Sequence, residues 1–83
     1  MDGEMENTVT ADKILDCRGA SCPIPILQAK KAMTRMKSGQ ILEILSSDPG
    51  TRNDLPGVVE RDGHKYLGHK PEGSFTRFYV QLK

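Results

Sequence analysis

The chain has 83 residues, enough for one small domain and too few for two independent cores. With 36% hydrophobic residues, no tryptophan and 2 cysteines, it is neither collagen-like nor a disulfide scaffold. No apolar run approaches the roughly 20 residues that span a bilayer, and the N-terminus lacks the basic start and apolar core of a secretion signal. These features predict a cytoplasmic protein that touches no membrane and keeps its cysteines reduced. The formal net charge of +1 conceals an asymmetry. Asp2, Glu4, Glu6 and Asp12 give residues 1–12 a charge of −4, whereas residues 13–83 hold all 12 basic residues against 7 acidic ones, a net +5. We therefore expect a disordered acidic tail over 1–12 and a single domain over 13–83.

The segment "KILDCRG" alternates as a short strand, with Ile14, Asp16 and Arg18 opposite Leu15 and Cys17. A tight turn at Gly19, Ala20 and Ser21 leads into the clearest helix, "PIPILQAKKAMTRMKSG". Ile26, Ala29, Met33 and Met36, with Ala32 beside them, form one buried stripe at helical spacing. Pro23 and Pro25 fall in the first turn, where a missing amide proton costs little, and Gly39 reads as the stop. "QILEILSS" is a buried strand, broken by a turn at "DPG". A short second helix follows, with Asp54 as N-cap, Pro56 in its first turn, Leu55, Val58 and Val59 packing inward and Gly63 ending it. "HKYLGHK" and "SFTRFYVQLK" are two strands joined by the "PEG" turn, the last with Phe78, Val80 and Leu82 on one face and Arg77, Tyr79 and Gln81 on the other. The order predicts an α/β (α+β) fold: a two-layer βαβαββ sandwich, two helices on one face of a four-stranded mixed sheet, its second face open to solvent.

Cys22 stands where the first strand gives way to the first helix. At or beside a helix N-cap, free amides and the helix dipole favour negative charge, so a thiol there is expected to have a lowered pKa and an enlarged thiolate fraction. The two prolines stiffen the backbone after the sulfur, and Ile24 and Leu27 fall off the buried stripe, where they would flank the thiol with an apolar patch. Spacing alone also allows a small residue tolerated in a turn.

The stretch "LDCRGASCPIPILQAKKAM", continued by "LEILSSDPGTRNDLPGVVERDGHKYL", resembles the TusA/SirA-like sulfur-carrier family from about Leu15 to the C-terminus. The most specific element is C-P-x-P, here Cys22, Pro23, Ile24 and Pro25, following L-D-x-R-G with its Arg18 and Gly19. Asp48-Pro49, Asp54-Leu55-Pro56 and Gly63-His64 support it in order and spacing. The resemblance implies a sulfurtransferase in which Cys22 accepts sulfane sulfur as a persulfide from a donor protein, a cysteine desulfurase or rhodanese. It then relays that sulfur to an acceptor protein, with no metal or organic cofactor. Members of the family serve the oxidation of reduced sulfur compounds, tRNA thiolation and molybdenum-cofactor assembly. The resemblance does not extend to Cys17, which occupies a variable position. It reads either as a buried strand cysteine or as a second thiol able to resolve the first.

Arg18, Lys30, Lys31, Arg35 and Arg52 are expected to form a basic rim around the thiol end, and Ile24, Leu27, Lys31, Arg35 and Arg52 a surface for acidic partner proteins. Direct nucleic-acid binding is not expected, because no basic strand carries interleaved aromatic residues. His64 and His69 are five residues apart, a spacing that sends them to opposite faces of one strand and away from a shared metal. A monomer is expected. Two other readings use the same residues: a regulatory module that binds protein or RNA without catalysis, and a dithiol switch through Cys17 and Cys22.

Overall fold

The computed structural model describes residues 11–21 and 23–83. Its elements run β1 (Lys13–Asp16), α1 (Ile24–Met33), β2 (Ile41–Ser46), α2 (Pro49–Arg61), β3 (Lys65–Pro71) and β4 (Thr76–Gln81). The strands form one sheet in the order β1-β2-β4-β3. β1 lies parallel to β2, and β4 is antiparallel to both β2 and β3, so the sheet is mixed as the element order predicts. The expected tail falls outside the described residues up to position 10. Asp12 does not behave as tail: its amide donates to the Ile41 carbonyl at 2.8 Å and its carboxylate accepts from the Ile41 amide at 2.8 Å.

Both helices pack on one face of the sheet. Ile26, Ala29, Ala32 and Met33 of α1 and Leu55 and Val59 of α2 meet Leu42, Ile44, Phe78, Val80 and Leu82 in a single core, with Met36 partly buried against it. The stripe predicted for the first helix is therefore the buried one, and Pro25 joins it, fully buried. Yet α1 ends six residues before Gly39. Thr34 turns its hydroxyl back onto the Lys31 carbonyl (2.6 Å), and the amides of Arg35 and Met36 bond three residues back, to Ala32 and Met33. The last turn thus tightens into a 3₁₀-like exit, a frequent end for an α-helix.

The second helix departs further from expectation. "DPG" is no separate turn: Asp48 is the N-cap and Pro49 and Gly50 are the first helical residues, so Asp54 and Pro56 lie inside α2. Pro49 is suited to a first turn, where its missing N–H has no partner to lose. Pro56 forgoes one internal bond, but the cooperative helix continues because Leu55 and Val59 bury on either side of it. Gly63 closes the helix as expected. At φ +88° it lets the amides of Gly63 and His64 reach the Glu60 and Val59 carbonyls at 3.0 and 2.9 Å, a Schellman closure.

Two findings correct the reading of the sheet. Its second face is not simply wet, for Glu43, Leu45 and Tyr79 are each less than a tenth exposed. Register puts Leu45 between Asp16 and Arg77, and the Phe75 ring lies 5.1 Å from the Arg18 guanidinium and 5.5 Å from that of Arg77. Arg77 also pairs with Glu43, so long side chains roof the central strands. The second correction concerns β3, where a bulge between Tyr66 and Gly68 shifts the alternation by one residue. Tyr66 and His69 then pair with Val80 and Phe78, both on the core face, and the Tyr66 hydroxyl sits 3.1 Å from His69 Nδ1. His64, two residues before Tyr66, shares that side, so the two histidines are not on opposite faces. Among the described residues no group of His, Cys, Asp or Glu is arranged to hold a metal ion.

Burial pushes the Tyr66 phenol up to about 12, with Arg52 pulling weakly the other way. Tyr79 is also raised, by burial and the nearby Glu43 carboxylate. A phenol raised on folding contributes stability that is intact below the ordinary tyrosine range of about 10 and is lost as pH climbs. For Tyr66 that window is about 10 to 12. Phenolate absorbance should therefore rise late and together with loss of helical circular dichroism, and Tyr66→Phe should move the alkaline unfolding midpoint upward.

Candidate functional site

Three segments converge at one end of the sheet. The parallel pairing of β1 and β2 brings both of their C-terminal ends there, and the antiparallel β4 adds the turn that precedes Thr76. The loop after β1 is held by two contacts. Cys17 donates its amide to the Leu45 carbonyl (2.7 Å), and Gly19 donates its amide to Ser47 Oγ (3.0 Å). Gly19 sits at φ +87°, a conformation any residue with a Cβ resists, which accounts for glycine in the turn.

Arg18 is engaged with its own strand. Its guanidinium grips Asp16 through two bonds of 2.9 and 2.8 Å, and its amide donates to the same carboxylate at 3.1 Å. These hydrogen bonds hold the Asp16 carboxyl down at about 2 and raise the arginine further. Arg18, expected in the basic rim around the thiol end, is thus paired with Asp16 of its own strand. The expected basic rim is split. Arg52 lines a cavity of about 190 Å³ with Ser46, Ser47, Asp48, Phe75 and Thr76 at the convergent end. Lys31 and Arg35 border a different groove between β1 and α1, and Lys30 reaches Asp62 (3.9 Å) at the end of α2.

Cys22 itself lies outside the described residues; its sequence neighbours define its setting. Pro23 is the N-cap of α1 and Pro25 lies in the first turn, so Cys22 precedes the N-cap by one position in sequence. Among the described residues no side chain caps this end, and no acidic residue occupies its first turn. What favours negative charge at this end is the helix dipole, since Pro25 has no N–H and the amides of Ile24 and Leu27 already donate to the Ser21 and Pro23 carbonyls at 2.9 and 3.0 Å. Ile24 and Leu27 are 46% and 58% exposed, the apolar patch expected from their helical phase.

Cys17 belongs to the core at 3% exposure, its Sγ 3.5 Å from the side-chain oxygen of Gln28. Burial first, and the Asp16 carboxylate second, push this thiol above its ordinary value. The thiol form is thereby favoured and the nucleophilic form suppressed at neutral pH. Iodoacetamide should leave Cys17 unlabelled in the native Cys22→Ser variant and label it once denaturant is added. Labelling at the same rate in both would show that Cys17 is accessible.

Several contributors had no local signal in the sequence. Gln28 meets Cys17 across 11 residues and Ser47 meets Gly19 across 28, so only the tertiary fold joins them. Phe75 carries a faint one, as an aromatic residue two positions after the turn glycine Gly73.

A family model described as sulfurtransferase TusA matches residues 13–82, nearly the whole described fold. The chain belongs to the TusA family. It is 44% identical over 71 residues to YrkI of Bacillus subtilis, covering 86% of this chain and 95% of that protein. It is also 37% identical over 70 residues to the sulfur carrier protein TusA of Allochromatium vinosum, covering 84% and 92% of the two chains. The crystal structure of a SirA-like protein from Desulfitobacterium hafniense superposes with a TM-score of 0.69 at 25% identity, over 83% of this chain and 95% of that one. The TusA family fold is thus the two-helix, four-stranded sandwich described above.

Proposed function

We propose that this TusA-family protein is a sulfur carrier that holds sulfane sulfur as a persulfide on Cys22 and relays it between proteins. The observation that carries the reading is the start of α1: an N-terminus that no side chain of the described residues caps, fixed by Pro23 and Pro25, with Cys22 immediately before it in sequence. In the loading step the Cys22 thiolate attacks the terminal sulfur of a donor persulfide. The new S–S bond forms as the donor's S–S bond breaks, and the donor thiolate leaves. In unloading, an acceptor thiolate attacks the terminal sulfur on Cys22, and the Cys22 thiolate leaves. Oxidation state is conserved in both steps, so neither requires a metal or an organic cofactor.

The helix dipole supports the anion on either side of each exchange. The exposed Ile24 and Leu27 offer apolar contact to donor and acceptor, and Lys31, Arg35 and Arg52 favour acidic partner surfaces. The donor is a cysteine desulfurase or rhodanese, the setting is the cytoplasm and the carrier is a monomer. Among the described residues no helix is long and apolar enough to cross a membrane. A dithiol switch is less well supported, because its second thiol, Cys17, is buried and held in its neutral form.

Incubation with a persulfidated donor, followed by peptide mass spectrometry, tests the proposal. One added sulfur on the peptide containing Cys22, removed by reductant and absent from Cys22→Ser, is the expected result. Added sulfur on Cys17 alone, or on neither cysteine with desulfurase and rhodanese donors, would refute it.

A further inference from the structure

The sheet has two edges, and they are finished differently. The β3 edge carries a bulge at Tyr66/Gly68 and ends at Pro71, devices that discourage a further strand. β1 has neither, and among the described residues β2 is its only neighbour in the sheet. Alongside β1 runs a groove of about 210 Å³ lined by Lys13, Leu15, Gln28, Lys31, Ala32 and Arg35. Three of these six are cations, none is an acid, and the three cations pair with no carboxylate among the described residues.

We propose that the outer edge of β1 and this groove bind an extended acidic segment of a partner protein by strand addition. Register supplies the side-chain rule. Lys13 and Leu15 align with the core-facing Leu42 and Ile44, so they lie on the helix side, whereas Ile14 and Asp16 lie with Glu43 and Leu45 on the other. Side chains of an added strand alternate in the same way. Carboxylates at every second position would face Lys13, Lys31 and Arg35, and the positions between would lie beside Ile14, which is 58% exposed and suited to an apolar neighbour. Main-chain hydrogen bonds would supply affinity and the groove specificity. A second copy of this chain is a poor occupant, because β1 paired with β1 sets the two basic grooves against each other. A nucleic-acid strand would satisfy the cations but leave the strand's amides unpaired. The inference deepens the partner half of the sulfur-carrier reading and requires none of its sulfur chemistry.

The test uses full-length protein with Cys22→Ser, so that sulfur exchange is silent. The probe is a short fluorescein-labelled peptide of alternating Glu and Val, titrated by fluorescence anisotropy. Saturable binding is expected, weakened about tenfold or more by Lys31→Glu with Arg35→Glu, and lost when alternate peptide amides are N-methylated. Residues 13–16 should gain hydrogen-exchange protection in the complex. Equal binding of the N-methylated peptide would overturn the proposal, as would tighter binding of a single-stranded RNA or self-association through β1. Binding seen only when Asp2, Glu4 and Glu6 are changed (D2N, E4Q, E6Q) would overturn it in favour of the chain's own acidic segment. Sulfur loading of the unmodified protein is measured separately. Its failure sinks the persulfide reading and leaves this one standing, and the converse also holds.

Discussion

Phe78→Ala is expected to destabilise the fold by about 3–5 kcal/mol, the usual cost of emptying a phenylalanine site in a packed core. The whole domain, at 83 residues, should have only roughly 4–12 kcal/mol of stability. The variant should therefore lose a large share of its stability, and at the lower end of that range all of it. Phe78 is fully buried on the core face of β4, a strand paired on both sides, by β2 and by β3. It lies in register with Ile44 on one side and His69 on the other, the His69 ring 6.2 Å away. Tyr66, the other aromatic residue packed against this cluster, is tied through its hydroxyl to His69 Nδ1 at 3.1 Å, which opposes its moving in to fill the space. Urea unfolding followed by circular dichroism is the measurement. Phe78→Leu, which keeps much of the volume, should lose clearly less. Equal losses for the two variants would mean that cavity formation is not the cause.

Core positions such as Phe78 were legible because periodicity is a direct record of burial. Alternation at Phe78, Val80 and Leu82 and the 3–4 spacing from Ile26 to Met36 mark the same core that the structure contains. The errors fall where a local rule met a longer-range one. A proline-glycine pair after a strand reads as a turn, but at Pro49 it opens a helix, because the apolar pattern of Leu55 and Val59 rewards a longer α2. A strand alternates until a bulge intervenes, and no residue between Lys65 and His69 announces the one after Tyr66 except Gly68 itself. The candidate site divides in the same way. The N-terminal setting of α1 and the exposure of Ile24 and Leu27 follow from helical phase. The engagement of Arg18 by Asp16, the Gln28 contact to Cys17 and the scattering of Lys30, Lys31, Arg35 and Arg52 depend on how the layers stack.

Arg77→Met should cost about 2–4 kcal/mol, more than most surface substitutions, because it strands a carboxylate. Glu43 occupies the middle of β2 on the roofed face, with its side chain 8% exposed, and it pairs with Arg77. Removing one partner of a buried pair typically costs about 3–5 kcal/mol; Arg77, at 33% side-chain exposure, sits at the wetter end of the pair and lowers that figure. Replacing both charges tells the two possible causes apart. Glu43→Leu with Arg77→Met removes the stranded carboxylate and leaves apolar groups on a covered face, so most of the lost stability should return. A double variant as unstable as Arg77→Met alone would place the cost in lost packing instead. Arg77 also bonds Glu72 at 3.3 Å and lies over Phe75, so it ties the turn before β4 to the sheet. That turn supplies Phe75 to the cavity it shares with Ser47 and Arg52. In Arg77→Met, amides of residues 72–75 should therefore exchange faster than those of β2 and β4, and restoring global stability with the double variant should not restore them. The charge pair and the order of the turn are thus separable, because Phe75 and Glu72 depend on the guanidinium itself and Glu43 only on its charge being matched.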